Sequence, residues 1–161
     1  MRAVIQRVSR ARVKVGERIV AEIERGLLVL LGVAKGDEET HADELAQKVV
    51  GLRLFADAEG KTNLALADVK GALLVVSQFT LFADVRRGRR PFFGGAEAPE
   101  RARALCERFS AAAQTFGARV ARGEFGAMMQ VELVNDGPVT LVIDSIDLAT
   151  PRRASNREVD G

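Results

Sequence analysis

The sequence predicts a mixed α/β fold with a single domain. Two apolar runs, residues 26–34 and 72–76, are typical of strands that are covered on both faces. Two other segments, residues 37–50 and 99–117, instead repeat apolar side chains at helical spacing. A chain of 161 residues has the usual length of one domain and buries about two thirds of its surface on folding. We therefore predict one mixed or antiparallel sheet with two main helices.

The N-terminal segment predicts a β-hairpin. Residues 2–15 alternate apolar and mostly basic side chains, as expected of a strand with one buried face. Gly16 and Glu17 supply a turn, and residues 18–24 return as the second strand. The face of the first strand that we expect to be buried carries Ala3, Ile5, Ala11, Val13 and Val15.

The first helix follows the apolar run at residues 26–34. Asp37 or Thr40 is the candidate N-cap, because short polar side chains accept hydrogen bonds from the free amides of a first turn. A short strand near residues 54–55 and a loop at 61–63 then lead to a strand at 72–79. The apolar stripe of this helix consists of Ala42, Leu45, Ala46, Val49 and Val50.

The second helix is bounded by Pro99 and Gly117. Proline is tolerated at a first helical position, and glycine is favoured in the left-handed conformation that ends many helices. The apolar stripe between them consists of Ala102, Leu105, Cys106, Phe109, Ala113 and Phe116.

Two final strands, at about residues 128–135 and 139–146, are predicted to form a hairpin through a turn at Asp136-Gly137-Pro138. From the residues alone, a trans proline that opens the second strand is favoured over a cis bond. Residues 147–161 are basic and lack periodicity, so we expect a folded domain over residues 1–146 followed by a mobile tail.

Composition excludes several classes of protein. No apolar run approaches the length of a membrane-spanning helix, so we expect no membrane association. The single cysteine, Cys106, excludes an internal disulfide and favours a reducing compartment, which predicts a cytoplasmic location. One cysteine and one histidine, His41, do not build a zinc site, and no glycine-rich phosphate loop is present. We therefore expect no metal, no cofactor and no imidazole base.

Basic residues form three groups although the formal net charge is only +2. Arginine suits phosphate because its planar guanidinium contacts two oxygens at once. The alternative is a set of solvated faces, and charge alone does not decide between them. The three groups are Arg2, Arg7, Arg10, Arg12, Lys14 and Arg18; Arg86, Arg87, Arg89 and Arg90; and Arg152, Arg153 and Arg157.

The end of the strand at residues 72–79 carries the candidate chemistry. Ser77 and Thr80 have hydroxyls, and Gln78 has an amide that donates or accepts. In a straight strand, Ser77 and Gln78 point to opposite faces, so one ligand meets both only if the backbone bends. Polar strand ends without a function are common, and this interpretation remains open from the residues alone.

Several segments resemble the D-aminoacyl-tRNA deacylase family in the expected order. They are MRAVIQRVSRARVKV, GLLVLLGVAKGD, SQFTLFAD, GRRPFF, APERA and FGAMMQVELVNDGPVT, and the resemblance spans about residues 1–145. It implies a sheet curled toward a small barrel, assembled as a homodimer. It also implies hydrolysis of the ester that joins a D-amino acid, or glycine, to the 3′ end of tRNA.

The resemblance also implies roles for individual residues. Ser77, Gln78 and Thr80 match the catalytic motif of the family, and Gly137-Pro138 matches its cis Gly-Pro motif. This motif is expected to enter the active site of the partner subunit, where its carbonyls exclude an L side chain. The expected pocket residues are Phe79, Phe125 and Met129, and the expected contacts with tRNA phosphate are Arg7, Arg86, Arg87 and Arg89.

One position departs from the family pattern. Phe92 stands where a small hydroxyl residue is expected, so no polar role is assigned to it. For the mechanism, assistance by the substrate's own 2′-hydroxyl is favoured over attack by Thr80, because no residue nearby is suited to activate a threonine. Two rival functions are a dimeric RNA-binding module without catalysis and a hydrolase of small esters.

Overall fold

The computed structural model describes residues 1–150, which form eight strands, three α-helices and one 3₁₀ turn. The strands are β1 (Arg2–Val15), β2 (Arg18–Ile23), β3 (Gly26–Gly32), β4 (Phe55–Ala56), β5 (Thr62–Leu64), β6 (Ala72–Ser77), β7 (Arg119–Arg122) and β8 (Gln130–Asp144). The helices are α1 (Glu39–Gly51), α2 (Pro99–Thr115) and α3 (Ser145–Leu148), and the 3₁₀ turn spans Phe79–Phe82. Within residues 1–150, no helix has the length and apolar character needed to cross a membrane.

Six strands form one mixed sheet that curls toward a barrel. The strand order is β2-β1-β3-β6-β7, and β8 pairs with β1 as well. The pairs β3–β6 and β6–β7 are parallel, whereas β1 is antiparallel to β2, β3 and β8. Because β2 contacts both β6 and β7, the sheet is nearly closed. The predicted mixed α/β fold with two main helices is confirmed.

Two apolar cores hold this sheet. One lies between its outer face and the helices α1 and α2, and it contains the fully buried Leu45, Leu73 and Phe109. Burying one such side chain contributes roughly 1.5–3 kcal/mol to folding. The second core fills the barrel and consists of Val8, Ala11, Val13, Ile23, Leu28, Leu74 and Val76.

A β-bulge in β1 explains how this strand serves both cores. Val8 pairs with Asn135 and Arg10 pairs with Val134, so two steps along β1 match one step along β8. An extra residue reverses the alternation of side chains beyond it. As a result Ile5 lies in the helix-covered core, and the prediction of one buried face for β1 is wrong: Ala3 and Ile5 face the helices, whereas Ala11 and Val13 face the barrel interior.

The predicted C-terminal hairpin is also wrong, because β8 is one strand that pairs with β1 on both sides of the Gly-Pro segment. Thr140 pairs with Gln6 and Asn135 pairs with Val8, which leaves residues 136–139 bulged out opposite a single residue of β1. The Gly137-Pro138 bond in this bulge is cis, so the trans interpretation from the residues alone is wrong and the cis bond that the family resemblance implies is confirmed.

The ends of the helices differ in part from the sequence-based prediction. The N-cap of α1 is Glu38, because Asp37 is turned inward, where it accepts hydrogen bonds from the amide of Ala34 and the N-terminal ammonium of Met1. Pro99 is the first residue of α2, as predicted.

Helix α3 was not predicted. It includes Asp147 and Leu148, which the sequence placed in the tail, and Leu148 packs against the helix-covered core. Residues 151–161 of the expected mobile tail lie outside the described residues.

Arg2 ties the sheet to the 3₁₀ turn that follows β6. Its Nε and Nη2 donate to the two carboxylate oxygens of Asp144, at 2.7 and 2.9 Å, and these hydrogen bonds lower the pKa of that carboxyl. Its Nη1 donates to the carbonyl of Leu81 at 3.0 Å, and its guanidinium lies 5.2 Å from the ring centroid of Phe82. One side chain therefore joins β1, β8 and the turn.

We expect Arg2→Gln to loosen the 3₁₀ turn. Loss of charge-assisted hydrogen bonds of this kind changes local stability by roughly 1–2 kcal/mol, which corresponds to about tenfold faster amide exchange at Leu81 and Ala83. Hydrogen exchange followed by mass spectrometry or NMR measures this. The control is Arg108→Gln. The Nε and Nη2 of Arg108 likewise donate to the two carboxylate oxygens of Asp43, both at 2.7 Å, but this pair lies between α1 and α2. Equal exchange at the turn in both variants would contradict this role.

Candidate active site

The parallel ladder between β3 and β6 ends at Ser77. Leu31 is the partner of Ser77, and the N–H of Gln78 still donates to the carbonyl of Leu31 at 2.8 Å. The chain then leaves the sheet and forms the 3₁₀ turn Phe79–Phe82. The predicted strand end at residue 79 is therefore two residues too late. The bend also removes the alternation that would keep neighbouring side chains on opposite faces.

This bend opens a cavity of about 810 Å³. Its walls come from the end of β3, the start of α2 and the segment that leads into β8. Five of the residues predicted from the sequence line it together: Ser77, Gln78, Phe79, Phe125 and Met129. Lys35 and Glu97 also line the cavity, and sequence reasoning missed both because neither belongs to a motif.

Thr80 lies beside the cavity and not in its lining. Its side chain is exposed, and its Oγ1 accepts a hydrogen bond from the Nε2 of Gln78 at 2.5 Å. A neutral amide that donates to a hydroxyl oxygen withdraws electron density from it. This contact therefore orients Thr80 without activating it as a nucleophile.

The first amides of the 3₁₀ turn are the best hydrogen-bond donors at this strand end. Leu81 is the first residue of the turn whose N–H bonds within it, to the carbonyl of Gln78 at 3.3 Å. Among residues 1–150, the N–H groups of Phe79 and Thr80 have no acceptor. Two adjacent amides of this kind suit an oxygen that gains negative charge during a reaction.

Cys106 lines the cavity but is not a suitable nucleophile. It lies on α2 with only 9% of its surface exposed, and burial raises the pKa of its thiol to about 12. The thiolate, which is the reactive form, is therefore scarce near neutral pH. His41 accepts a hydrogen bond from the N–H of Glu38 at the start of α1 and does not line the cavity. Residues 1–150 contain no group of three or more metal-ligating side chains.

Gly137 and Pro138 do not line the cavity of their own chain. They belong to β8, whose Val131 does line it, but they follow six and seven residues later along this strand. Both residues are exposed. The bulge is held from within the chain, because Arg7 Nε donates to the carbonyl of Asp136 at 2.9 Å and the N–H of Val139 donates to the Oδ1 of Asn135 at 3.1 Å.

The predicted phosphate contacts have different surroundings. Arg86, Arg87 and Arg89 are exposed on a loop outside the cavity, and the hydrogen bond from Arg86 lowers the pKa of Asp84 to about 2. Arg7 is partly buried and also donates to the carbonyl of Leu54 at 2.6 Å, so its guanidinium supports the bulge. The phosphate role of these four residues stays a prediction.

The loop that carries these arginines ends in two phenylalanines. Asp84 and Phe92 pair across its base, and Phe92 is 68% exposed and outside the cavity lining. Phe93 does line the cavity, where its ring meets that of Phe79 edge to face with 5.1 Å between centroids. The aromatic pair thus forms one side of the cavity mouth.

Comparisons with known proteins agree with the geometry. The family described as D-Tyr-tRNA(Tyr) deacylase matches residues 4–144. A D-aminoacyl-tRNA deacylase of Chloroflexus aurantiacus is 57% identical over 157 residues, covering 98% of each chain. A D-aminoacyl-tRNA deacylase of Koribacter versatilis is 58% identical over 145 residues, covering 90% of this chain and 97% of the relative.

Two solved structures are similar over almost the same span. One is named c-Myc DNA Unwinding Element Binding Protein; it has a TM-score of 0.84 and 38% identity, and the match covers 89% of this chain and 98% of that one. The other is described as a probable eukaryotic D-amino acid tRNA deacylase; its TM-score is 0.73 at 18% identity, with 88% and 97% covered, and this likeness concerns the fold. The chain belongs to the D-Tyr-tRNA(Tyr) deacylase family.

Proposed function

We propose that this protein hydrolyses the ester that joins a D-amino acid to the 3′ end of tRNA and releases the free amino acid and tRNA. The single observation that carries the proposal is the cavity at the end of β6, which Ser77, Gln78 and Phe79 line together with apolar walls, and beside which the amides of Phe79 and Thr80 are unpaired within residues 1–150. Its volume of about 810 Å³ suits a ligand the size of an aminoacyl-adenosine. Membership in the deacylase family supports the same reaction.

The mechanism that fits this cavity relies on positioning. A water molecule attacks the ester carbonyl, and the N–H groups of Phe79 and Thr80 hold the oxyanion of the tetrahedral intermediate. The neighbouring 2′-hydroxyl of the terminal ribose relays the proton that the water loses to the 3′-oxygen, which leaves as its bond to the acyl carbon breaks; it is placed for this because it lies next to the ester. Ser77 and Gln78 orient the ribose and ester through their polar groups.

Discrimination between D and L amino acids is assigned to the bulge at Gly137-Pro138, acting in the cavity of a second copy of the chain. Support comes from its exposure, from its absence from the lining of its own cavity, and from the hydrogen bonds that fix it to Arg7 and Asn135. A backbone wall of this kind excludes an L side chain by steric overlap. Glycine and D side chains avoid it, so mischarged glycyl-tRNA is a second substrate.

Arg86, Arg87 and Arg89 are assigned to phosphates of the tRNA outside the cavity. Their exposure at a loop near the cavity mouth allows contact with a long anionic ligand. Contacts of this kind position the tRNA without reading its sequence.

The direct test of this function compares turnover of D-tyrosyl-tRNA, glycyl-tRNA, L-tyrosyl-tRNA and a simple tyrosine ester, followed by release of labelled amino acid. We expect hydrolysis of the D and glycyl substrates and slow or absent hydrolysis of the others. Tight tRNA binding without turnover of any substrate would indicate a non-catalytic RNA-binding module. Rapid hydrolysis of the simple ester would indicate a general esterase.

A second prediction distinguishes attack by water, assisted by the 2′-hydroxyl, from attack by the hydroxyl of Thr80. We expect D-tyrosyl-tRNA that ends in 2′-deoxyadenosine to react at least about a hundredfold more slowly, since removing an aligned proton-transfer group typically has this effect. Thr80→Ala should retain most of its single-turnover rate on the normal substrate, because the hydroxyl of Thr80 has no activating base. A full rate on the deoxy substrate together with an inactive Thr80→Ala enzyme would restore a covalent mechanism.

A third prediction concerns the bulge itself. Gly137 has φ of +140°, and a Cβ there would lie 2.8 Å from the Nη2 of Arg7 and 2.9 Å from the Cγ2 of Val139. Gly137→Ala must therefore shift the bulge, and we expect the D-to-L ratio of kcat/KM to fall by about tenfold or more. The control is Gly16→Ala, because Gly16 also has a positive φ of +58° but nothing within 4 Å of its Cβ position. A selectivity that Gly137→Ala leaves intact would remove the bulge from the chirality mechanism.

A further inference from the structure

A second cavity, of about 270 Å³, lies directly beside the first, between α2 and β7. Ser77, Cys106 and Phe125 line both cavities, so these three side chains form their common wall. A ligand group that contacts one of these side chains in the first cavity is therefore about one side-chain width from the second cavity. Apart from this wall, no residue that lines the second cavity is a predicted site residue or has a part in the mechanism above.

Two arginines in the lining of the second cavity form no ion pair with any residue that the structure describes. They are Arg103 on α2 and Arg122 at the end of β7, and Glu107 is the one acidic residue in the lining of this cavity. Arg103 lies one helical turn before Glu107, yet its guanidinium lies over the ring of Phe125, 5.1 Å from the centroid.

This arrangement leaves guanidinium donors available on the side of the wall opposite the ester. A guanidinium has five N–H donors and no acceptor, and it matches the oxygens of a phosphate group best. Arg103 contacts the ring of Phe125, and within residues 1–150 its side chain donates no hydrogen bond to another residue, so its N–H groups remain available to a ligand. Two guanidinium groups in one small cavity favour an anion with several oxygens.

The substrate of the proposed reaction carries such an anion at the right place. The 3′-oxygen of the terminal adenosine bears the ester, and the 5′-phosphate is attached to the same ribose. If the ester lies against Ser77, this phosphate has to lie close to the same wall. Arg86, Arg87 and Arg89 line neither cavity, so they are not placed to meet it.

We propose that the second cavity binds the 5′-phosphate of the terminal adenosine, with Arg103 and Arg122 as its ligands. This rests on the proposed function, because it takes the position of the ester from it. The contact is made equally before and during the reaction, so it lowers KM and leaves kcat nearly unchanged. The exposed loop at residues 86–90 then serves phosphates farther along the tRNA.

The experiment uses small probes that differ by one phosphate. Calorimetry compares the binding of adenosine 5′-monophosphate with that of adenosine, and kinetics compares D-tyrosyl-adenosine 5′-monophosphate with D-tyrosyl-adenosine. We expect the wild-type protein to favour the phosphorylated member of each pair by about tenfold, since a charge-assisted contact typically contributes this much. The double variant R103Q/R122Q should reduce both ratios toward one.

Two controls keep this result specific. R119Q removes an arginine from the opposite end of β7, where Arg119 donates to the carbonyl of Lys70, and it should keep the tenfold ratios. R103K/R122K keeps the positive charges but not the planar guanidinium, so it should keep part of the preference for the phosphorylated probes.

The outcomes separate the two proposals. The phosphate site is overturned if the wild-type protein binds adenosine and its 5′-monophosphate equally, or if R103Q/R122Q keeps the full preference for the monophosphate. Either result counts whether or not the ester is hydrolysed. Tighter binding of the monophosphate that is lost in R103Q/R122Q, without any hydrolysis of D-tyrosyl-tRNA, supports the phosphate site and overturns the proposed function.

Discussion

The hydrogen bond from the N–H of Gln78 to the carbonyl of Leu31 is the last rung of the parallel β3–β6 ladder, and the geometry of the candidate site depends on it. It fixes the point at which the chain stops being a strand. Beyond it the 3₁₀ turn begins, and the first two amides of that turn lose their partners because no strand follows on that side. Arg2 then holds the turn from the other end, through Leu81.

The β1–β8 pair departs from regular pairing at two bulges, and each has a different consequence. The bulge in β1 sends the first half of the strand to the helix-covered core and the second half to the barrel, which allows the sheet to curl without leaving either core empty. The bulge in β8 instead displaces Gly137-Pro138 outward while pairing resumes on both sides. In a hairpin, Gly137-Pro138 would instead lie at the tip of two strands that pair with each other. Anchored on both sides by β1, it has the rigidity that a steric filter needs.

The sequence predicted those parts of the fold that depend on local patterns. Apolar runs and helical spacing located β3, β6, α1 and α2, because each is stabilised by side chains within its own segment. Elements that depend on a partner were missed: β7 has only Val120 and Ala121 as apolar residues and exists because β6 accepts it as a parallel neighbour. The hairpin at residues 128–146 was wrong for the same reason, since both halves pair with β1 rather than with each other.

The same distinction between local patterns and partner-dependent features applies to the candidate site. A motif on adjacent residues, such as Ser77-Gln78, was visible from the sequence, whereas Arg103 and Arg122 were not singled out because nothing local distinguishes an arginine beside a cavity.

The absence of an activated nucleophile among the cavity residues is consistent with the size of the effects that positioning supplies. Holding a reacting group in place contributes up to about 7–11 kcal/mol relative to reaction in solution, and one oxyanion donor contributes about 3–4 kcal/mol. An aminoacyl ester is already an activated substrate, so these terms suffice without a covalent intermediate. Cys106 supports this view: a thiol stands in the cavity wall, but burial keeps it protonated, so it contributes shape and no reactivity. In the mechanism we propose, water and backbone amides act on any ester that enters the cavity, so the choice between D and L substrates rests on the shape of the bulge alone.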